Sequence, residues 1–165
     1  MPAVKPASTR EPVLTHRNLP LLLLLARERV IGLFRPILHA HGLTEQQWRI
    51  VRVLVEFGAL EPRQIGRLCA LSSPSLAGIL ARMQEQGLIA RAGVAHDKRR
   101  QAISATPRSR RLAARLAPEI AATYRGLEQR LGEAFVHDVY RALDGLIAAL
   151  PPDAGEARGA VPAEP

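Results

Sequence analysis

Cysteine is almost absent from this chain of 165 residues. Cys69 stands alone, so no disulfide framework can form within one copy, and a reducing compartment is compatible. Long hydrophobic runs are missing as well. A bilayer span needs roughly 18 apolar residues in succession, and the longest candidate, LPLLLLLA at 19–26, stops at Arg27-Glu28-Arg29. That run lacks a basic region followed by a small-residue cleavage site, so no secretory signal is expected and a cytoplasmic, nucleoid-associated location is. Lysine is scarce, with only Lys5 and Lys98. Codon usage can produce such a bias, so no guanidinium-specific chemistry is read from it. No Gly-rich phosphate loop, metal-ligand spacing or nucleophile–base pair is visible, so neither an enzyme nor a resident metal or cofactor is expected. His39 and His41 come closest to a metal pair, but on a helix two residues diverge by about 200°.

What is there is a folded chain with an uneven charge. Apolar residues make up 47%, enough for one domain with a real core or two small lobes sharing elements. The formal net charge is +8. Residues 91–115 carry eight basic residues against Asp97 alone, a net +7, whereas residues 116–165 carry four arginines against eight acids, a net −4. A basic block joined to an acidic one marks one surface for a polyanion and another for something else.

Residues 1–15 and 151–165 are rich in Pro, Ala and small polar residues and read as loose tails. Between them the pattern predicts six helices and one hairpin. The first helix opens at Asn18 as N-cap and runs to a stop at Gly42, with Pro36 expected to bend or locally break it. The second begins at Thr44, where Gln47 three residues on fits a capping box, and ends at Gly58. Its apolar stripe is Ile50, Val51, Leu54 and Val55. A short helix opens at Pro62 and carries Ile65, Leu68 and Cys69. After the break Ala70-Leu71-Ser72, Ser73 is placed as an N-cap ahead of Pro74. The helix that follows buries Leu76, Ile79, Leu80 and Met83 and stops at Gly87. LIARA and QAISA, at 88–92 and 101–105, read as short strands with a basic loop between them. Pro107 opens a long helix with Leu112, Leu116, Ile120, Tyr124, Leu127 and Leu131 on one side. A last helix beyond Gly132 carries Phe135, Val139, Leu143, Ile147 and Leu150.

Two short helices joined by a tight break, then a two-stranded hairpin, is the order of a winged helix-turn-helix. A major groove about 12 Å wide admits one helix, whose outward side chains must reach base edges while phosphate contacts fix its register. The helix from Ser73 leaves Ser73, Ser75, Ala77, Gly78, Ala81 and Arg82 outward, small enough for close approach. An ordinary amphipathic core helix satisfies the same spacing. The hairpin tips the balance. Lys98, Arg99 and Arg100 repel one another in a freely solvated turn but are attracted by a narrow minor groove, with Asp97 able to hold a neighbouring guanidinium in one pose.

Those stretches resemble the MarR family of bacterial regulators, over residues 18–150 or so. LTEQQWRIVRVL, SSPSLAGILARMQEQGLIAR and the wing sequence DKRRQAISAT carry the resemblance. The family's wing pattern, Asp-x-Arg followed by Leu-Thr and a Gly, is matched at Asp97, Arg99 and Thr106. It departs at Ala105 and Ser109, which touches the start of the long helix rather than the wing. FRPIL at 34–38 followed by HGLTEQQWRI is similar to the branch that includes the homoprotocatechuate-degradation repressor. The resemblance implies Arg99 in a minor groove and Ser73, Ser75 and Arg82 in a major one. It also implies a homodimer joined by first and last helices on a palindromic operator in double-stranded DNA. Apolar stripes on the first and last two helices, too many for one chain to bury, point the same way.

The expected fold class is therefore mainly α, with a small β-hairpin wing. The expected division is a dimerisation helix at 16–43, a winged helix-turn-helix lobe at 44–106, and dimerisation helices at 107–150 between the two tails. By resemblance, a small aromatic acid would act as effector, a hydroxylated phenylacetate, benzoate or pyridine-carboxylate. Trp48 and Phe34 can stack on a ring, Arg17, Arg35 and Arg49 can meet a carboxylate, and His39 can sense hydroxyls. Trp48 could equally be a core anchor and the arginines plain surface cations. Three other readings stand beside the ligand-responsive repressor: an architectural DNA-binding protein without a sensor, a protein-interaction module, and a thiol sensor through Cys69. The last meets a cysteine set among Leu68 and Leu71, which reads as a buried core thiol, and no second cysteine in the chain to resolve an oxidised one.

Overall fold

Thr44 sits in extended backbone ahead of a helical run. Its hydroxyl accepts the Gln47 N–H at 3.2 Å, while the Gln47 carboxamide oxygen accepts the Thr44 N–H at 3.0 Å. This reciprocal capping box satisfies two amides that a helix start leaves orphaned. The computed structural model describes residues 16–94 and 97–150, with 94 and 97–100 described by their backbone alone. The tails expected at 1–15 and 151–165 lie outside the described residues, as does His96.

Among the described residues there are six helices and one hairpin, in the order expected. They are α1 (Leu19–Ala40), α2 (Glu45–Phe57), α3 (Pro62–Leu68), α4 (Ser73–Glu85), β1 (Ile89–Val94), β2 (Asp97–Ala105), α5 (Pro107–Leu131) and α6 (Glu133–Ala149). The chain divides into two compact units, Met1–Leu33 and Phe34–Pro165. In the first, the Asn18 side chain accepts the Leu21 N–H at 3.0 Å, and Leu19 and Leu21 through Leu25 are exposed. Pro36, expected to bend or locally break α1, sits inside an unbroken helix of 22 residues. A proline removes only its own N–H bond, and the surrounding turns supply the rest.

The core of the second unit is built around α2, which packs against α3, α4, α5 and β2. Leu38, Ile50, Val51, Leu54, Ile65, Leu80, Met83, Ile103 and Leu116 are essentially sealed from solvent. Val55 and Leu68, read as apolar-face residues, are instead exposed. On α5, Leu112, Leu116 and Ile120 are buried, but Leu131 at its end is not. α6 buries only Val136 and leaves Phe135, Val139, Tyr140, Leu143 and Ile147 open.

The α3–α4 connection is tight for identifiable reasons. The Leu71 N–H bonds the Gly66 carbonyl at 2.9 Å and the Ala70 N–H bonds the Arg67 carbonyl at 3.1 Å, a Schellman closure with Ala70 left-handed at φ 49°. A Cβ on Gly66 would lie 3.2 Å from the Leu71 carbonyl oxygen and 3.5 Å from Leu76 Cδ2. The two helices therefore cross where a side chain is missing.

The hairpin is longer than its sequence pattern suggested. β1 and β2 pair antiparallel from Ile89↔Ala105 to Gly93↔Gln101, then slip to Val94↔Asp97. The basic run was expected in a loop, but its backbone belongs to β2, because pairing continues through Gly93 across the irregularity. Leu60 adds a third short partner, exchanging hydrogen bonds with Ile103 at 2.9 and 2.8 Å.

If α2 is the centre of the core, Leu54→Ala should lower stability by about 2–5 kcal/mol. Val55→Ala, one residue on but open to solvent, should cost under about 1 kcal/mol. Urea unfolding of the two variants checks the contrast.

Candidate nucleic-acid interface and adjoining groove

α4 has two dissimilar faces. Leu76, Ile79, Leu80 and Met83 are buried, the four residues that periodicity selected. Ser73, Ser75, Ala77, Ala81 and Arg82 are exposed, and Gly78 is half-buried. A Cβ at Gly78 would meet only Arg82 Nη1, at 3.7 Å, so the long cation lies along the helix and the outward surface stays low. The N-cap is Ser72 rather than Ser73, which puts Pro74 in the second helical position. The Ser72 hydroxyl donates to Ser75 Oγ at 3.1 Å and makes no bond to the helix backbone. No acid stands in the first turn, so the positive end of the helix dipole is not neutralised there.

Beside that face lies a cleft of about 600 Å³ lined by Arg63 and Arg67 of α3, Ser72, Ser73 and Ala77, and Arg91 of β1. Arg91 donates to the Gln101 carboxamide oxygen at 3.2 Å across the hairpin. Neither arginine of α3 stood among the contact residues expected from sequence. The available signal was their four-residue spacing, which puts two cations on one helix face. The cations expected at the wing, Lys98, Arg99 and Arg100, and their companion Asp97 follow on β2 by backbone, and their side chains lie outside the described residues.

On the far side of α2 a second cavity, of about 540 Å³, opens between α2 and α5. Trp48, Arg52 and Val55 line one wall, and Ala117, Ile120 and Tyr124 the other, with Arg110 also on it. The Phe34 and Tyr124 rings meet at 5.0 Å with planes 53° apart. The wall is apolar apart from Arg52, Arg110 and Glu56, so it offers faces to a ring and two guanidinium groups against one carboxylate. Partial burial, with Tyr124 and Glu128 nearby, pushes the Tyr140 hydroxyl above its ordinary value against the opposing charge of Arg52. The α6 phenol is therefore within electrostatic reach of this groove.

The residues expected around an effector do not all gather here. Trp48 lines the groove and Phe34 adjoins it through Tyr124. Arg49 points elsewhere, its Nη1 donating to the Cys69 carbonyl at 2.6 Å and its Nη2 lying 3.6 Å from Glu45 Oε1. Arg35 Nη2 approaches the other Glu45 oxygen at 3.6 Å. His39 is exposed on α1, and Arg17 belongs to the first unit. Arg52 was not anticipated, although it stands one turn beyond Trp48 on the same helix face, whereas Arg49 is rotated by about 100°.

Cys69 is buried, and burial pushes its thiol above the ordinary value of 9.0, with Arg49 opposing only in part. Among the described residues no three His, Cys, Asp or Glu side chains cluster to hold a metal ion. No helix there is long and apolar enough to cross a membrane.

The family model described as MarR family matches residues 41–100. The homoprotocatechuate degradative operon repressor of Escherichia coli is 37% identical over 133 residues, covering 81% of this chain and 90% of the relative. Among solved structures, the transcriptional regulator PA4135 superposes with a TM-score of 0.80 at 32% identity, over 82% of this chain and all of that one. NadR in complex with 4-hydroxyphenylacetate superposes with a TM-score of 0.72 at 30% identity, over 91% of this chain and all of that one.

A raised thiol is protonated at neutral pH and is a poor nucleophile. Native Cys69 should therefore react with a thiol reagent roughly tenfold or more slowly than the urea-unfolded chain at the same pH. Because the folded value is the higher one, its share of stability is present below pH 9.0 and lost as pH climbs through the folded value, which pH-dependent unfolding can follow.

Proposed function

The chain belongs to the MarR family of transcriptional regulators, and from that premise we propose that it is a dimeric repressor released from its operator by a small aromatic acid. The family and its relatives are regulators rather than enzymes. The observation that carries the DNA-binding half is α4, with four apolar side chains buried, a low outward face of Ser73, Ser75, Ala77 and Ala81, and three arginines lining the cleft beside it. In this reading Ser73, Ser75, Gly78 and Arg82 meet base edges and the adjoining backbone of the major groove. Lys98, Arg99 and Arg100 reach the flanking minor groove with Asp97 as their orienting partner. Arg63, Arg67 and Arg91 hold phosphates.

A second copy gives the exposed apolar faces a partner. Leu21 through Leu25 lie open in the first unit, and Phe135, Val139, Leu143 and Ile147 lie open on α6 in the second. Isolated residues of this kind are ordinary, but rows of them mark association. Two readers related by a two-fold axis require a palindromic site with half-sites about 10 base pairs apart.

The effector half rests on the α2–α5 groove. Trp48 and Tyr124 offer faces for a ring, Arg52 a guanidinium for its carboxylate, and Tyr140 a hydroxyl nearby. NadR, at 30% identity, binds 4-hydroxyphenylacetate, an acid of this chemistry. The Escherichia coli relative is the repressor of a homoprotocatechuate degradative operon. The ligand acts by population shift, binding best when the reading lobes are spaced wrongly for the operator. An architectural protein without a sensor would instead show weak sequence preference and no change in DNA affinity with aromatic acids.

A mobility-shift titration on the DNA upstream of the chain's own coding sequence tests both halves. Arg99→Ala should weaken binding about tenfold or more and flatten its salt dependence. Adding 4-hydroxyphenylacetate should weaken the parent's binding by about 5- to 150-fold. Arg52→Ala should keep DNA affinity and lose that response. An Arg99→Ala protein that binds like the parent at matched salt would remove the wing from the account.

A further inference from the structure

Three consecutive residues of α2 point in three directions. A helix turns about 100° per residue, so Gln47, Trp48 and Arg49 each address a different part of the lobe. Trp48 lines the groove. Gln47, only 5% exposed, donates through Nε2 to Gln86 Oε1 at 2.9 Å, and Gln86 is the C-cap of α4. The capping box fixes the sense of that bond. The Gln47 oxygen is committed to the Thr44 N–H, so its amide nitrogen must face Gln86 and Gln86 must accept. Arg49 donates a charge-assisted bond of 2.6 Å to the carbonyl of Cys69, the C-cap of α3 and the last residue before the turn that leads into α4. The two bonds thus bracket α4, one before its start and one at its end.

We propose that α2 is the link between groove and reader, with Gln47 and Arg49 as positioning residues that tie the C-cap of α4 and the α3 C-cap ahead of α4 to the helix carrying Trp48. Apolar packing is non-directional and tolerates small slips. Hydrogen bonds of 2.6 and 2.9 Å lose strength steeply with distance and angle. A ring pressed between α2 and α5 displaces α2, and the two bonds carry that displacement to the reader, where apolar contacts alone would absorb part of it. The inference rests on the regulator reading above, since it takes α4 as the DNA reader and the α2–α5 groove as the sensor.

Coupling between two sites is reciprocal, so DNA held by α4 is felt at Trp48 even without effector. Trp48 is the only tryptophan in the chain, which makes its fluorescence a direct readout of the groove. The experiment uses the full chain and a labelled duplex from upstream of its own coding sequence. Anisotropy of the label reports binding, and acrylamide quenching of Trp48 reports the groove.

In the parent, saturation with duplex should shift the quenching of Trp48. Gln86→Met, which removes the acceptor but leaves the capping box intact, should still bind duplex and lose most of that shift. Gln86→Glu, which keeps an acceptor oxygen, should retain it, an outcome that a merely structural role for the side chain does not require. Arg49→Met combined with Gln86→Met should abolish what remains. A parent whose Trp48 is indifferent to bound duplex, or a Gln86→Met protein that responds like the parent, overturns the inference. If anisotropy shows no duplex bound at any salt, the regulator reading falls and takes this one with it. The readout uses duplex alone, so an unresponsive 4-hydroxyphenylacetate counts only against the choice of effector.

Discussion

Burial of the apolar face of α2 is the constraint on which the rest of the second unit depends. Ile50, Val51 and Leu54 are completely removed from solvent, and α2 packs against two helices of the reading motif, one strand of the hairpin and the long helix α5. No other helix of the lobe packs against so many elements. Because α2 is started by a fixed capping box and sealed along that face, its opposite edge is presented in one orientation, and Trp48, Arg52 and Val55 become a wall. The same rigidity lets a short helix such as α3, seven residues long, hold a position that it could not keep in isolation.

Charge is laid over this frame against the local preference of the helices. α4 has no acid in its first turn, and neither has α5, whose first turns carry Arg108, Arg110 and Arg111. Cations at a helix N-terminus oppose the macrodipole, at a cost of up to about 1 kcal/mol each when exposed. Such placements are stabilised when a polyanion arrives, which is consistent with a surface shaped for phosphate rather than for the free protein's own stability. Arg49 and Arg35 follow the opposite logic. Their charges are met inside the molecule by Glu45 and, for Arg49, by the Cys69 carbonyl.

Local signals were enough to read the elements, and they failed where tertiary contacts decide. The capping box at Thr44 and Gln47, the buried quartet of α4 and the proline at the start of α5 all follow from short-range chemistry, and the sequence displays each of them. The α4 cap slipped by one residue because Ser72 and Ser73 are equivalent by type, and only the backbone distinguishes them. The stretch between 92 and 101 carries loop-like charge, yet cross-strand pairing carries the strand through Gly93. Ser109, a departure from the family's usual glycine, fits because its hydroxyl donates to the Thr106 carbonyl at 3.0 Å in a fully buried position. The groove was the least legible part. Trp48 could be picked out by type and Arg52 by its spacing from Trp48, but the Cys69 carbonyl that occupies Arg49 comes from another helix and leaves no local signal.

On the proposed reading, α4 and the hairpin together form the surface that DNA covers. Hydrogen–deuterium exchange of the full chain, with and without saturating duplex, tests it most directly. Amides at 72–78 and 91–105 should slow on binding, with smaller changes along α2 behind them. Exchange that leaves both stretches untouched while slowing another face would contradict the account.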